Sequence, residues 1–173
     1  DSIEQVIDEL IETDFGIGEV DIEMEIEASE RAPVVKLVDS IIQQAIVDKA
    51  SDIHIEPGEN LVRIRYRVDG QLREIMEYHK RLHNALAARI KIISDMDITI
   101  KRHPQDGRKK FEYGRQDVDL RISTLPTVYG EKIAIRILDR DKYFLELGEL
   151  GLSGENLHGY REIIRYPYGM ILV

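Results

Sequence analysis

The 173-residue chain contains no cysteine and no tryptophan. Without cysteine it forms neither disulfides nor thiolate zinc sites, which fits a reducing compartment. No apolar run approaches the ~20 residues that span a bilayer, and the acidic N-terminus lacks the basic and apolar regions of a signal peptide. Lysine and arginine are missing from the first thirty positions, which hold twelve Asp or Glu. The remaining residues carry 21 acidic and 24 basic groups, so the net charge of -9 belongs to an acidic arm attached to a mildly basic body. Such a charge run reads as a solvated linker or the end of a preceding domain. At 43% hydrophobic residues, the body can bury the core of one compact domain with flanking segments.

Periodicity then supplies the elements. Ile3, Val6, Ile7, Leu10 and Ile11 follow Ser2 at helical spacing and predict a short amphipathic helix over 2–12. Between 15 and 30, Val20, Ile22, Met24 and Ile26 alternate with acidic residues, but Gly16, Gly18 and the charge density favour a linker. Pro33 opens a core helix whose stripe runs through Val34, Leu37, Val38, Ile41, Ile42, Ala45 and Ile46. A short strand over 51–56 stops at Pro57-Gly58, and Asp69-Gly70 turns a strand holding Leu61, Ile64, Tyr66 and Val68 into one holding Leu72 and Ile75. Leu82, Leu86, Ile90 and Ile93 mark a second helix, and a polar loop over 101–108 leads to strands around 111–113, 118–124 and 132–138. The expected fold is α+β, an antiparallel sheet with helices packed on one face. Beyond it, a Ser153-capped helix through Leu157, Ile163 and Ile164, then an apolar run over 168–173 that reads as a buried strand, look like the start of a second, α/β unit.

Arginines stand out at what reads as strand ends beside Gly-, Pro- and Thr-rich turns. Arg121 lies in Arg-Ile-Ser-Thr-Leu-Pro and Arg136 fifteen residues on, in the strand after Gly130-Glu131-Lys132. If 126–130 connect adjacent strands, both approach one point near the sheet edge. A guanidinium held there suits phosphate oxygens; the plainer reading pairs each with a neighbour such as Asp119 or Asp139. The loop that would cradle a phosphate is not in the sequence: G-x-x-x-x-G-K-[ST] occurs nowhere. Arg63, Arg65 and Arg67 share one strand face, but Tyr66 points to the other, so a salt-bridged surface is favoured over a nucleic-acid platform. His54 and Glu56 share a side of a strand but are too few for a zinc site, and His79 and His83 read as a surface pair on a helix. No Ser-His-Asp order or isolated carboxylate pair supports a self-contained hydrolase.

The runs Ala32-Pro33-Val34-Val35-Lys36-Leu37-Val38, Ala50-Ser51-Asp52-Ile53-His54-Ile55-Glu56-Pro57, Arg65-Tyr66-Arg67-Val68-Asp69-Gly70, Pro104-Gln105-Asp106-Gly107-Arg108, Arg121 to Pro126 and Gly130-Glu131-Lys132 closely resemble the secretion and type IV pilus assembly ATPases of the GspE/PilB type, in order and over 32–173. The resemblance implies an acidic linker over 1–31, a PAS-like second N-terminal domain over 32–142 and the beginning of a RecA-like ATPase domain over 143–173, truncated before its P-loop. It implies a nucleotide-sensing and regulatory domain of a hexameric motor for pilus assembly or type II secretion. Arg121 and Arg136 would reach the phosphates of ATP bound with Mg by the parent's motor domain. The fragment alone is expected neither to hydrolyse ATP nor to bind it tightly. Expected partners are RecA-like motor domains of the same and neighbouring subunits and inner-membrane platform proteins, with no nucleic acid, no metal site and a cytoplasmic location peripheral to the inner membrane. The alternative is a free-standing PAS-like module that senses a ligand or partner without a motor.

Overall fold

The computed structural model describes residues 22–114, 116–139, 146–149 and 151–172. The helix expected over 2–12 lies outside them. The chain divides into two compact units, 1–138 and 139–173.

Six strands form one sheet in the first unit: β1 (Asp52–Pro57), β2 (Leu61–Val68), β3 (Gln71–His79), β4 (Gln105–Tyr113), β5 (Gln116–Thr127) and β6 (Gly130–Asp139), in the spatial order β3-β2-β1-β6-β5-β4. The β2–β3 turn is Asp69-Gly70, both at positive φ (50° and 78°), the mirror-image turn whose twist matches that of its strands. The first three strands form one meander and the last three another. They are joined by antiparallel pairing of β1 with β6, which sets Asp52 beside Arg136 and His54 beside Ala134. Strand alternation sends Ile53, Ile55, Val62, Ile64, Tyr66, Val118, Leu120, Ile122, Ile133 and Ile135 to one face, all buried.

Three helices belong to this unit: α1 (Ile22–Glu30), α2 (Ala32–Val47) and α3 (His83–Ile93). α2 buries Val34, Leu37, Val38, Ile41, Ile42 and Ala45, as its stripe predicts. Each large side chain of that stripe contributes about 1.5–3 kcal/mol of burial. The Tyr66 hydroxyl donates to the Ile41 carbonyl at 2.7 Å, tying the sheet to α2. The α+β architecture expected from the sequence is therefore present, with an apolar inner face and a charged outer one.

Three local readings change. Residues 22–30 are helical rather than linker: α1 packs against α3, Ser29 is buried, and its hydroxyl donates to the Ile26 carbonyl at 2.7 Å. Tertiary packing there outweighs charge density. β4 begins at Gln105, inside the expected loop, because the positions alternating with its outer face, 105, 107 and 109, are Gln, Gly and Lys and carry no apolar signal. In the second unit α4 (Gly154–Ile164) forms, with Ser153 at its N-cap position but making no side-chain cap bond. Residues 168–172 carry no strand, and Met170 and Leu172 are 84% and 85% exposed rather than buried. A strand exists only with a neighbour to accept its backbone bonds, and the described residues supply none.

Candidate functional site

The outer sheet face divides into two parts. On β2 and β1 every arginine is matched. Arg63 meets Glu74 at 2.9 Å and Glu77 at 3.2 Å, Arg65 meets Glu56 at 2.6 Å, and Arg67 meets Asp52 at 3.3 Å. Lys132, on β6, reaches the other oxygen of Glu56 at 2.6 Å. This is the salt-bridged surface that the alternation of Arg63, Arg65 and Arg67 predicts. Burial opposes ionisation of Glu56, but the Lys132 hydrogen bond and charge, with Arg65, outweigh it and hold the carboxyl below its usual range. Asp52 behaves alike: burial opposes its charge, while hydrogen bonds from Ser51 and Arg136 and the Arg136 charge keep its pKa low.

Across the β1–β6 seam the pattern changes. Arg121 sits in the interior of β5 rather than at a strand end, and Arg136 lies on β6, beside β1 in the middle of the sheet rather than at its edge. Both nevertheless line one open depression of about 410 Å³, together with Asp52, His54, Asp106 and Arg108. Arg136 Nε donates to Asp52 Oδ1 at 3.2 Å and its side chain stays 67% exposed, so it has a carboxylate partner from β1. Arg121 has no ion-pair partner among the described residues. The ring nitrogens of His54 are buried without a hydrogen-bond partner there. Burial first, then the Lys132 charge, push the His54 pKa down against Glu56 and Asp52.

The Pro-Gln-Asp-Gly-Arg run builds one wall. Gln105 accepts from the Asp97 amide at 2.9 Å and donates to the carbonyls of Asp97 (2.8 Å) and Ile100 (3.0 Å), pinning the loop after α3. Asp106 accepts from the Ser123 hydroxyl at 2.6 Å. Gly107 passes so close to the end of α3 that a Cβ would collide with the Ser94 carbonyl and side chain, so only glycine fits without a backbone shift. Arg108 is paired in register with Arg121 and has no ion-pair partner among the described residues.

A second cluster lies buried where α3 meets the β5–β6 hairpin. Lys91, 1% exposed, ion-pairs with Glu131 at 2.7 Å and donates to the Ile100 carbonyl at 2.7 Å. His83 Nε2 lies 2.8 Å from the Glu131 carbonyl, which only accepts, so Nε2 carries the proton and Nδ1 accepts from the Tyr78 hydroxyl at 3.3 Å. Burial, helped by the Lys80 charge and opposed by the Glu131 carbonyl, pushes the His83 pKa down to about 4. The surface pair expected of His79 and His83 is thus corrected: His79 ends β3, while His83 is 2% exposed at the start of α3. The available signal was the line His83, Ala87, Lys91 at steps of four, which places a histidine and a lysine on one helix face around a small residue.

Among the described residues no three His, Asp or Glu side chains cluster as a metal site, and no helix is long and apolar enough to cross a membrane. The depression brings three guanidiniums, Arg108, Arg121 and Arg136, together with Asp52, His54 and Asp106, and the guanidiniums are a donor set for oxyanions.

The described residues therefore make an α+β sheet domain whose outer face carries a group of arginines. The family model for Type II/IV secretion system proteins matches residues 27–173, and the chain belongs to that family. It is 45% identical over 148 residues to type II secretion system protein E of Aeromonas hydrophila, covering 86% of this chain and 30% of the relative. It is 44% identical over 147 residues to the type IV pilus assembly ATPase PilB of Myxococcus xanthus, covering 84% and 26%. Among solved structures, the Legionella pneumophila ATPase DotB is similar at 20% identity with a TM-score of 0.46, over 72% of this chain and 34% of that one. The chain spans under a third of the length of these two secretion and pilus relatives.

Proposed function

We propose that this chain is the sheet domain and first motor-domain elements of a hexameric ATPase that powers type II secretion or type IV pilus assembly. In this reading Arg121 and Arg136 face the phosphates of ATP held with Mg on a RecA-like motor domain, which carries the P-loop. The observation that supports it is the convergence of Arg121 and Arg136 on one open depression, with Arg121 unpaired among the described residues. Guanidiniums brought up to a terminal phosphate stabilise transferring charge and couple nucleotide state to the docking of the sheet domain. The sequence holds no P-loop, so this chain by itself is not expected to turn over ATP. Among the described residues no three side chains would hold Mg, which in this reading is bound with the nucleotide by the motor domain. The whole protein would work at the cytoplasmic face of an inner membrane through platform partners.

The test uses a full-length parent. Arg121→Ala or Arg136→Ala should each lower kcat by on the order of 10- to 1,000-fold, with circular dichroism showing the sheet intact. Lysine should rescue poorly at either position, since it lacks the bidentate fork. Wild-type turnover in both alanine variants would overturn the assignment.

A further inference from the structure

Of the Gln-Asp-Gly-Arg residues that open β4, three have a visible structural role. Gln105 pins a loop, Asp106 binds Ser123, and Gly107 permits the approach to Ser94. Arg108 has no such role. It lies directly across the β4–β5 ladder from Arg121, on the same outer face, and both are exposed in the same depression. Like charges directly opposite in an antiparallel pair repel. Elsewhere on this face the arginines of β2 and β6 have carboxylates. The two acids that line the depression are already engaged, Asp52 by Arg67 and Arg136 and Asp106 by Ser123. Ala134, opposite His54, is small and leaves room beside them.

We infer that Arg108 and Arg121 form a two-guanidinium clamp that closes on one phosphate oxyanion, making Arg108 a further binding residue of this site. The inference rests on Arg121 being phosphate-facing, and extends that role to Arg108. Two forks converging across one ladder bind a tetrahedral oxyanion through parallel N–H donors, which a single arginine cannot match. The bound anion also removes the repulsion between the two cations.

The experiment titrates the present chain with sodium tripolyphosphate at constant ionic strength, following the arginine Nε–Hε NMR signals and the melting temperature. Both Arg108 and Arg121 signals should move at millimolar ligand, and Arg108→Gln and Arg121→Gln should each weaken binding about three- to tenfold. Arg65→Gln should bind as wild type, because Arg65 is already paired with Glu56. Without the anion, Arg108→Gln should melt at or above the wild-type temperature, whereas a structural role for Arg108 would lower it. Arg108→Lys should keep the charge but lose most of the added affinity. A parallel titration with ATP should match tripolyphosphate; affinity more than tenfold higher would mean the base is read too, and would overturn a clamp for phosphate alone. Wild-type affinity in Arg108→Gln with loss in Arg121→Gln overturns the clamp and leaves the functional reading standing. Loss in both, with a full-length Arg121→Ala enzyme that turns over normally, upholds the clamp and overturns the functional reading.

Discussion

The outer face of β1 and β2 and that of β4 and β5 are built from the same residue types, but their arginines are matched differently. On β1, β2 and β3, Arg63 ion-pairs with Glu74 and Glu77, Arg65 with Glu56 and Arg67 with Asp52, so the charges neutralise one another within the sheet. On β4 and β5, Arg108 stands across from Arg121, and the nearby acid Asp106 is bonded to a serine. A matched surface of this kind has little electrostatic reason to bind anything, whereas an unmatched one in a shallow depression attracts an anion. The difference teaches that arginine content alone does not distinguish the two faces; the placement of acids on the neighbouring strands does.

The largest effect should come from breaking the buried connection on which the arginine-bearing hairpin rests. Lys91→Met leaves Glu131 charged and unpaired in the interior, and should cost about 3–5 kcal/mol in urea-unfolding experiments. Adding Glu131→Gln to that variant should recover a good part of the loss. If the single and double variants were equally unstable, the pair would not be acting as a unit, and β6 would be held by apolar packing alone.

Next is the histidine in the same cluster. The native pKa of His83 is depressed to about 4 against about 6.5 in an unfolded chain. A depressed histidine contributes stability that is fully present above pH 6.5 and is lost as pH falls toward 4. The loss over that window should approach about 3 kcal/mol, and it should shrink in His83→Gln, which does not titrate. A pH-independent melting temperature between about pH 7 and 4.5 in the parent chain would contradict the buried, neutral imidazole. Asp52 and Glu56, whose pKa values are lowered, contribute in the other window: their stabilisation is present above about pH 4 and disappears as the pH falls further.

The smallest effect belongs to the matched face. Arg65→Ala should change stability by only about 0–1 kcal/mol, because a partly exposed ion pair is screened and Glu56 keeps Lys132. A loss much above that would show that the ion pairs of β1 and β2 help hold the sheet, and the contrast between the two faces would weaken.

Several elements are readable because one short stretch of sequence carries the whole cause. Asp69-Gly70 turns the β2–β3 hairpin without help from elsewhere, and the α2 stripe reports its own buried face at helical spacing. The alternation of Arg63, Arg65 and Arg67 with Ile64 and Tyr66 likewise assigns the two sides of β2, and the salt-bridged outer surface with them. Arg121 and Arg136 are readable as a pair from family resemblance and from their place in neighbouring strands. Arg108 stands in the Pro-Gln-Asp-Gly-Arg run, but nothing in that run makes it a partner of Arg121. Their relation is a matter of ladder register, which spacing alone does not report.

The Asp69-Gly70 turn, the α2 stripe and the alternating faces of β2 follow from the order of amino acids, since they depend on dihedral preference and periodicity within a few positions. Tertiary structure alone decided that residues 22–30 are helical against α3, that His83 and Lys91 are buried beneath the β5–β6 hairpin, and that β6 returns to pair with β1. That last pairing sets Arg136 beside Asp52, 84 residues away, while the β4–β5 ladder leaves Arg108 facing Arg121. Such matches depend on apolar burial and backbone hydrogen bonding summed over the whole sheet, and no local stretch of chain contains that sum.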